Sequence, residues 1–232
     1  MGGYLHAPLT AGFLLAGPLL GFLSHRLGAR YFATGGMIGA AISFILLMRL
    51  PIDFSYWQFA DILLFNGLSM GAFAAPNRAA IMNSLPARDR GAGGGMNSTF
   101  QNSAQVLSIG IFFTLMIRGL SGTLSTTLTQ GLMAHGVPQV VAAHVGNLPP
   151  VSILFAAFLG YNPIQTLVGP QVLGHLSAAN RAALTGHSFF SKLISLPFHA
   201  GLTEAFIFAA TVCLIAAAAS WSRGARVVDD PS

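Results

Sequence analysis

The feature that most constrains this chain is a series of long segments with almost no formal charge. Residues 5–23, 31–48 and 96–117 hold no Lys, Arg, Asp or Glu, residues 57–77 hold only Asp61, and residues 201–222 hold only Glu204. A hydrocarbon bilayer needs roughly 20 mostly apolar residues per helical span, and all five segments come near that length. Composition agrees, because 7% of the 232 residues are charged against roughly 25% in a soluble domain. With 53% apolar residues and a mean hydropathy of +0.67, the chain is too apolar for disorder and too poor in charge for an ordinary soluble enzyme. The expected fold is an all-α integral membrane protein with five transmembrane helices.

The basic residues give an orientation. Of the eleven Lys and Arg residues, Arg26 and Arg30 lie between the first two spans, Arg78, Arg88 and Arg90 flank the connection after the third, and Arg223 and Arg226 follow the fifth. In a five-span chain these seven share one side. The opposite side receives Arg49, Arg118, Arg181 and Lys192, the last three within a long connection whose charges count little for orientation. The positive-inside rule therefore places residues 24–30, residues 78–95 and the C-terminal tail in the cytoplasm and the N-terminus outside. Scattered at span ends, the arginines form a topology signal and no nucleic-acid surface. No basic n-region precedes the first span, so a cleavable signal peptide is not expected.

The connection 118–200 is read as an external loop of short amphipathic helices, over residues 123–135, 139–145, 150–160 and 178–195, with Gly, Pro and Asn at the breaks. Its most apolar run, 151–160, lies between Pro149-Pro150 and Tyr161-Asn162-Pro163 and is about half the length of a span. The apolar faces are expected to rest on the outer mouth of the bundle or in the headgroup layer. The domain plan is thus four spans in 1–117, the loop 118–200, a fifth span 201–222 and a cytoplasmic tail 223–232.

Between the first two spans the chain reads G-F-L-S-H-R-L-G-A-R, with Gly21, Leu23, Arg26, Gly28 and Arg30 in register. This resembles the G-x-L-x-D-R-x-G-x-R/K cytoplasmic loop of major facilitator superfamily transporters, with His25 where that family usually carries Asp. Ser24 is treated as a tolerant position, and Gly28 as one requiring positive φ or close backbone approach. The order of short loops, the segment L-P-A-R-D-R-G at 85–91, a polar-started fourth span, a long external loop and a final span is similar to the C-terminal half of fourteen-spanner drug:proton antiporters. The resemblance covers essentially the whole chain. It implies an incomplete C-terminal half lacking its first helix and the N-terminal half, set in a bacterial inner membrane. Protons and small lipophilic substrates would be the partners besides the bilayer, without a cofactor.

Polar residues within spans are expensive in lipid and mark interior faces. The third span carries Asp61, Asn66, Asn77 and Arg78; the fourth carries Asn97, Gln101, Gln105 and Ser108 at three- and four-residue spacing, with Asn102 alongside. Asp61, Asn66, Asn97, Gln101, Asn102 and Gln105 are the cavity or interface candidates, with interhelical hydrogen bonding as the plainer reading. Gly35 with Gly39, and Gly67 with Gly71, form small-xxx-small faces suited to helix packing. Cys213 reads as a packing residue, the dispersed histidines give no metal-ligand spacing, and no nucleophile, P-loop or dinucleotide motif is present. Catalytic residues and metal sites are accordingly expected to be absent. Two functions remain: part of a proton-coupled exporter, inactive alone, or a non-transporting scaffold or remnant of a truncated transporter.

Overall fold

The computed structural model describes residues 3–222; within that range, nothing is stated of the side chains at residues 3–5, 21, 25–27, 154, 157, 158 and 187. The described residues are helical, without a strand, in the order α1 (Gly3–Leu27), α2 (Ala29–Met48), α3 (Tyr56–Asn83), a 3-10 turn (Ala87–Asp89), α4 (Arg90–Ala134), α5 (Gln139–Gly146), α6 (Pro150–Leu159), α7 (Ile164–Val168), α8 (Pro170–His175), α9 (Ala178–Thr185) and α10 (His187–Ser222). Among the described residues five helices are long and apolar enough to cross a membrane, compatible with an integral membrane protein.

The chain divides into two compact units. Unit 1 comprises Met1–Ile109 and Phe206–Ser232, and unit 2 is Gly110–Ala205. In unit 1, α3 packs against both α1 and α2. Its start is fixed by a capping box, in which the Ser55 hydroxyl accepts from the Gln58 amide at 3.4 Å while the Gln58 side chain accepts from the Ser55 amide at 3.2 Å. Small residues let the backbones touch. A Cβ on Gly67 would run into the Leu9 carbonyl and lie 3.0 Å from the Phe13 nitrogen, and one on Gly36 would lie 2.7 Å from the Phe73 nitrogen. The part of α10 in unit 1 runs antiparallel to α2, with Phe44 on Phe206 near one end and Tyr31 on Trp221 at the other.

Unit 2 is built differently. Met116, Leu120, Leu124, Leu128 and Leu132 recur every fourth residue along α4, and all are buried, together with Val145, Ile164, Leu184 and Phe190. The helices cross closely within this unit, since a Cβ on Gly119 would lie 2.8 Å from the Gly201 Cα. Asn162 ties the short helices down. Its Nδ2 donates to the carbonyls of Leu184 (2.7 Å) and Gly186 (2.9 Å), and its Oδ1 accepts from the Ile164 amide at 3.0 Å.

Several sequence expectations change here. The helix that carries the fourth span does not stop at 117 but continues unbroken to Ala134; Gly119 and Gly122 cost only about 1 kcal/mol each relative to Ala, and no proline interrupts residues 90–134. The segment 178–195 is two helices split at Gly186, whose backbone is extended, and the second runs on as α10 through Pro197. The short helices α7 and α8 are additional. Nor do the amphipathic pieces merely rest on another surface, because their apolar faces form a core of their own. On α2, a Cβ on Gly35 would meet open space, whereas Gly36 and Gly39 face α3. Ser24 is buried within α1 and does not lie in a loop.

Candidate functional site

Gly28 is the turn between α1 and α2. Its φ of 92° lies in the left-handed region that an L side chain rarely adopts, and its amide donates to the Ser24 carbonyl at 2.9 Å. The reversal is therefore made by one residue. Arg30, in the first turn of α2, places its guanidinium carbon 4.1 Å from the centroid of the Trp221 ring, a cation–π geometry. The environment of Gly21 and the side chains of His25 and Arg26, which belong to the same loop signature, lie outside the described residues.

The polar candidates of α3 and α4 are not gathered into one cluster. Asn66 is buried and donates from Nδ2 to the Ser43 hydroxyl, which itself donates to the Ala40 carbonyl at 2.7 Å. Asn66 thereby joins α3 to α2. Asp61 is exposed near the start of α3. On α4, Asn97 is half-buried while Gln101, Asn102 and Gln105 are exposed, as is every residue from 98 to 110. Ser108 is satisfied locally, donating to the Gln105 carbonyl at 3.0 Å. The amides therefore form a free stripe on α4, a face able both to donate and to accept hydrogen bonds.

In unit 2, Glu204 is half-buried, with its carboxyl carbon 3.1 Å from where a Gly119 Cβ would stand. His135 donates from Nδ1 to the Gly131 carbonyl, 2.9 Å away, and sets its ring at 4.9 Å, edge-on, to Phe189. Among the described residues no group of three or more His, Cys, Asp or Glu side chains is placed to hold a metal ion. Sequence reasoning missed Trp221 and Tyr31, and it treated Asn162 only as a breaker. The signal for Asn162 was its place between Tyr161 and Pro163, where an amide often binds nearby backbone.

Comparison with known proteins adds two kinds of relative. The chain is 25% identical over 159 residues to the riboflavin transporter RibZ of Clostridioides difficile, covering 68% of this chain and 34% of that protein. It is 30% identical over 154 residues to the methyl viologen resistance protein SmvA of Salmonella typhimurium, covering 64% of this chain and 31% of that protein. The matches thus span about a third of the length of these relatives. Both are named for transport or resistance and neither for an enzymatic activity. No family model matches, and no solved structure matches.

Proposed function

We propose that this chain is part of a multi-pass membrane transporter, a proton-coupled secondary exporter of the major facilitator kind in a bacterial inner membrane. The observation that carries the reading is the coincidence of five span-length apolar helices with similarity to a transporter and a resistance protein. The loop signature 21–30 supports the assignment to the C-terminal half, with the α1–α2 turn and the end of α10 in the cytoplasm. In such a transporter one group of helices rocks against another around a midplane cavity, and proton and substrate favour opposite states. The amide stripe of α4 and the polar positions of α3 supply one wall of that cavity.

The substrates proposed are lipophilic or cationic small molecules; methyl viologen and riboflavin, named for the two relatives, are both flat aromatic compounds and serve as probes. A single wall does not alternate access, so the chain needs further helices to export. The test is accumulation of methyl viologen in cells stripped of their own exporters, with this chain expressed alone or beside the N-terminal half of the Salmonella protein. Efflux dependent on the proton gradient is expected only in the pair. Gradient-dependent efflux by the chain alone would overturn the need for other helices, and no efflux from a properly inserted pair would favour a scaffold or remnant.

A further inference from the structure

Among the described residues, Arg30 is a cation without a counter-charge at the point where α2 begins and α10 ends. No carboxylate or other acceptor pairs with it among the described residues, and the first turn of α2 carries no acidic residue. Its Nε is buried without a hydrogen-bond partner, so a ligand arriving from outside would meet the two terminal nitrogens. Trp221 holds one face of the guanidinium at 4.1 Å and is itself braced edge-on by Tyr31 at 5.8 Å. A stacked guanidinium directs its N–H donors outward in its own plane, the fork that fits a phosphate.

The surroundings name the kind of phosphate. Tyr31 and Trp221 are 63% and 49% exposed, and such half-exposed amphipathic rings favour the headgroup level of a bilayer. In the sequence, Arg26 precedes the α1–α2 turn and Arg223 follows Trp221, with no carboxylate in the tail before Asp229. A positive, aromatic-flanked site at the end of apolar helices complements an anionic lipid headgroup. We propose that Arg30, fixed by Trp221, binds the phosphate of an anionic phospholipid at this end of unit 1, with Tyr31 and Trp221 bordering the headgroup. The proposal rests on the membrane reading given above.

The test uses the full chain carrying Trp57→Phe, which leaves Trp221 as its one tryptophan, reconstituted in mixed phosphatidylcholine and phosphatidylglycerol vesicles. Either lipid is brominated in turn so that it quenches nearby indole fluorescence. Brominated phosphatidylglycerol is expected to quench Trp221 about twofold more than brominated phosphatidylcholine at equal mole fraction. Arg30→Gln should bring the ratio to one, whereas Arg88→Gln, which removes the same charge from an exposed side chain, should leave it unchanged. Equal quenching by the two lipids in the unsubstituted-Arg30 protein would overturn the proposal without any variant having to fold. Loss of the preference on adding inorganic phosphate at constant ionic strength would overturn a lipid in favour of a free anion. Quenching by neither lipid would instead overturn the membrane placement of this end.

Discussion

Units 1 and 2 solve opposite packing problems with the same helical backbone. Unit 1 buries small residues, among them Ala16, Ala33, Ala40, Ala41, Ala60 and Ala72, and turns Leu14, Leu15, Leu19, Ile42 and Ile215 outward. Unit 2 buries large residues instead, although Val140, Phe155, Leu159 and Leu196 stay exposed. Its α4 segment buries Leu120, Leu124, Leu128 and Leu132 while Thr123, Thr126 and Gln130 face out. In hydrocarbon, large apolar side chains gain nothing by leaving the solvent, so helices associate through small residues and close backbone contact. In water, burying the large apolar side chains is the main driving force. The contrast is one between packing of a kind suited to lipid and packing of a kind suited to water.

The comparison breaks most readily where backbones touch. Gly67→Leu must force α1 and α3 apart, because even a Cβ meets the Leu9 carbonyl; overpacking costs about 1–3 kcal/mol where side chains can shift, and a clash with backbone should cost more than the loss of one buried leucine. The expected result is little folded protein in detergent by size-exclusion fluorescence, whereas Gly35→Leu, at a position open to its surroundings, should fold normally. Next in size is Leu128→Ala in unit 2, a fully buried side chain whose truncation should cost about 2–5 kcal/mol. Leu15→Ala in unit 1 should change thermal stability in lipid by a small fraction of that, and equal losses at the two positions would erase the distinction.

Gly28→Val, which must hold a β-branched residue at a φ of 92°, should cost about 1–3 kcal/mol and lower the melting temperature of the reconstituted chain. Gly94→Val, early in α4, provides a helical control without positive φ. The smallest effect is expected at the buried polar link. Ser43→Ala removes the acceptor of the Asn66 amide, and interhelical hydrogen bonds in membranes average about 0.6 kcal/mol. A melting shift as large as that of Leu128→Ala would mean that Asn66 does more than join two helices.

Much of this was legible in the charge-free runs. They located the five long helices because a span must satisfy its own backbone and exclude charge, and the loop signature pointed to Gly28 as the special turn residue. Other features were not legible, for physical reasons. Gly119 and Gly122 look like helix breakers in isolation, but tertiary contact at Gly201 makes a glycine favourable within α4. The choice between Gly35 and Gly36 depends on which face of α2 meets α3, which a helix rich in small residues on several sides does not declare. The partner of Asn66 is 23 residues away, and that of Arg30 is 191 positions along the chain, so neither pairing leaves a local pattern. The α4 stripe was visible as a pattern, but its exposure from 98 to 110 is set by tertiary packing and not by its own spacing.

The division between lipid-built and water-built packing is tested most directly by spin labels at outward-facing positions of each unit. In a Cys213→Ala background, labels are placed singly at Leu15, Ile42 and Ile215 in unit 1 and at Thr126, Arg181 and Ser191 in unit 2, all exposed in the structure. Collision with oxygen, which concentrates in hydrocarbon, is compared with collision with a water-soluble nickel chelate in reconstituted vesicles. Oxygen should dominate at all three unit 1 positions and the chelate at all three unit 2 positions. Chelate dominance at Leu15, Ile42 and Ile215, or oxygen dominance at Thr126, Arg181 and Ser191, would contradict a fold divided between two solvents.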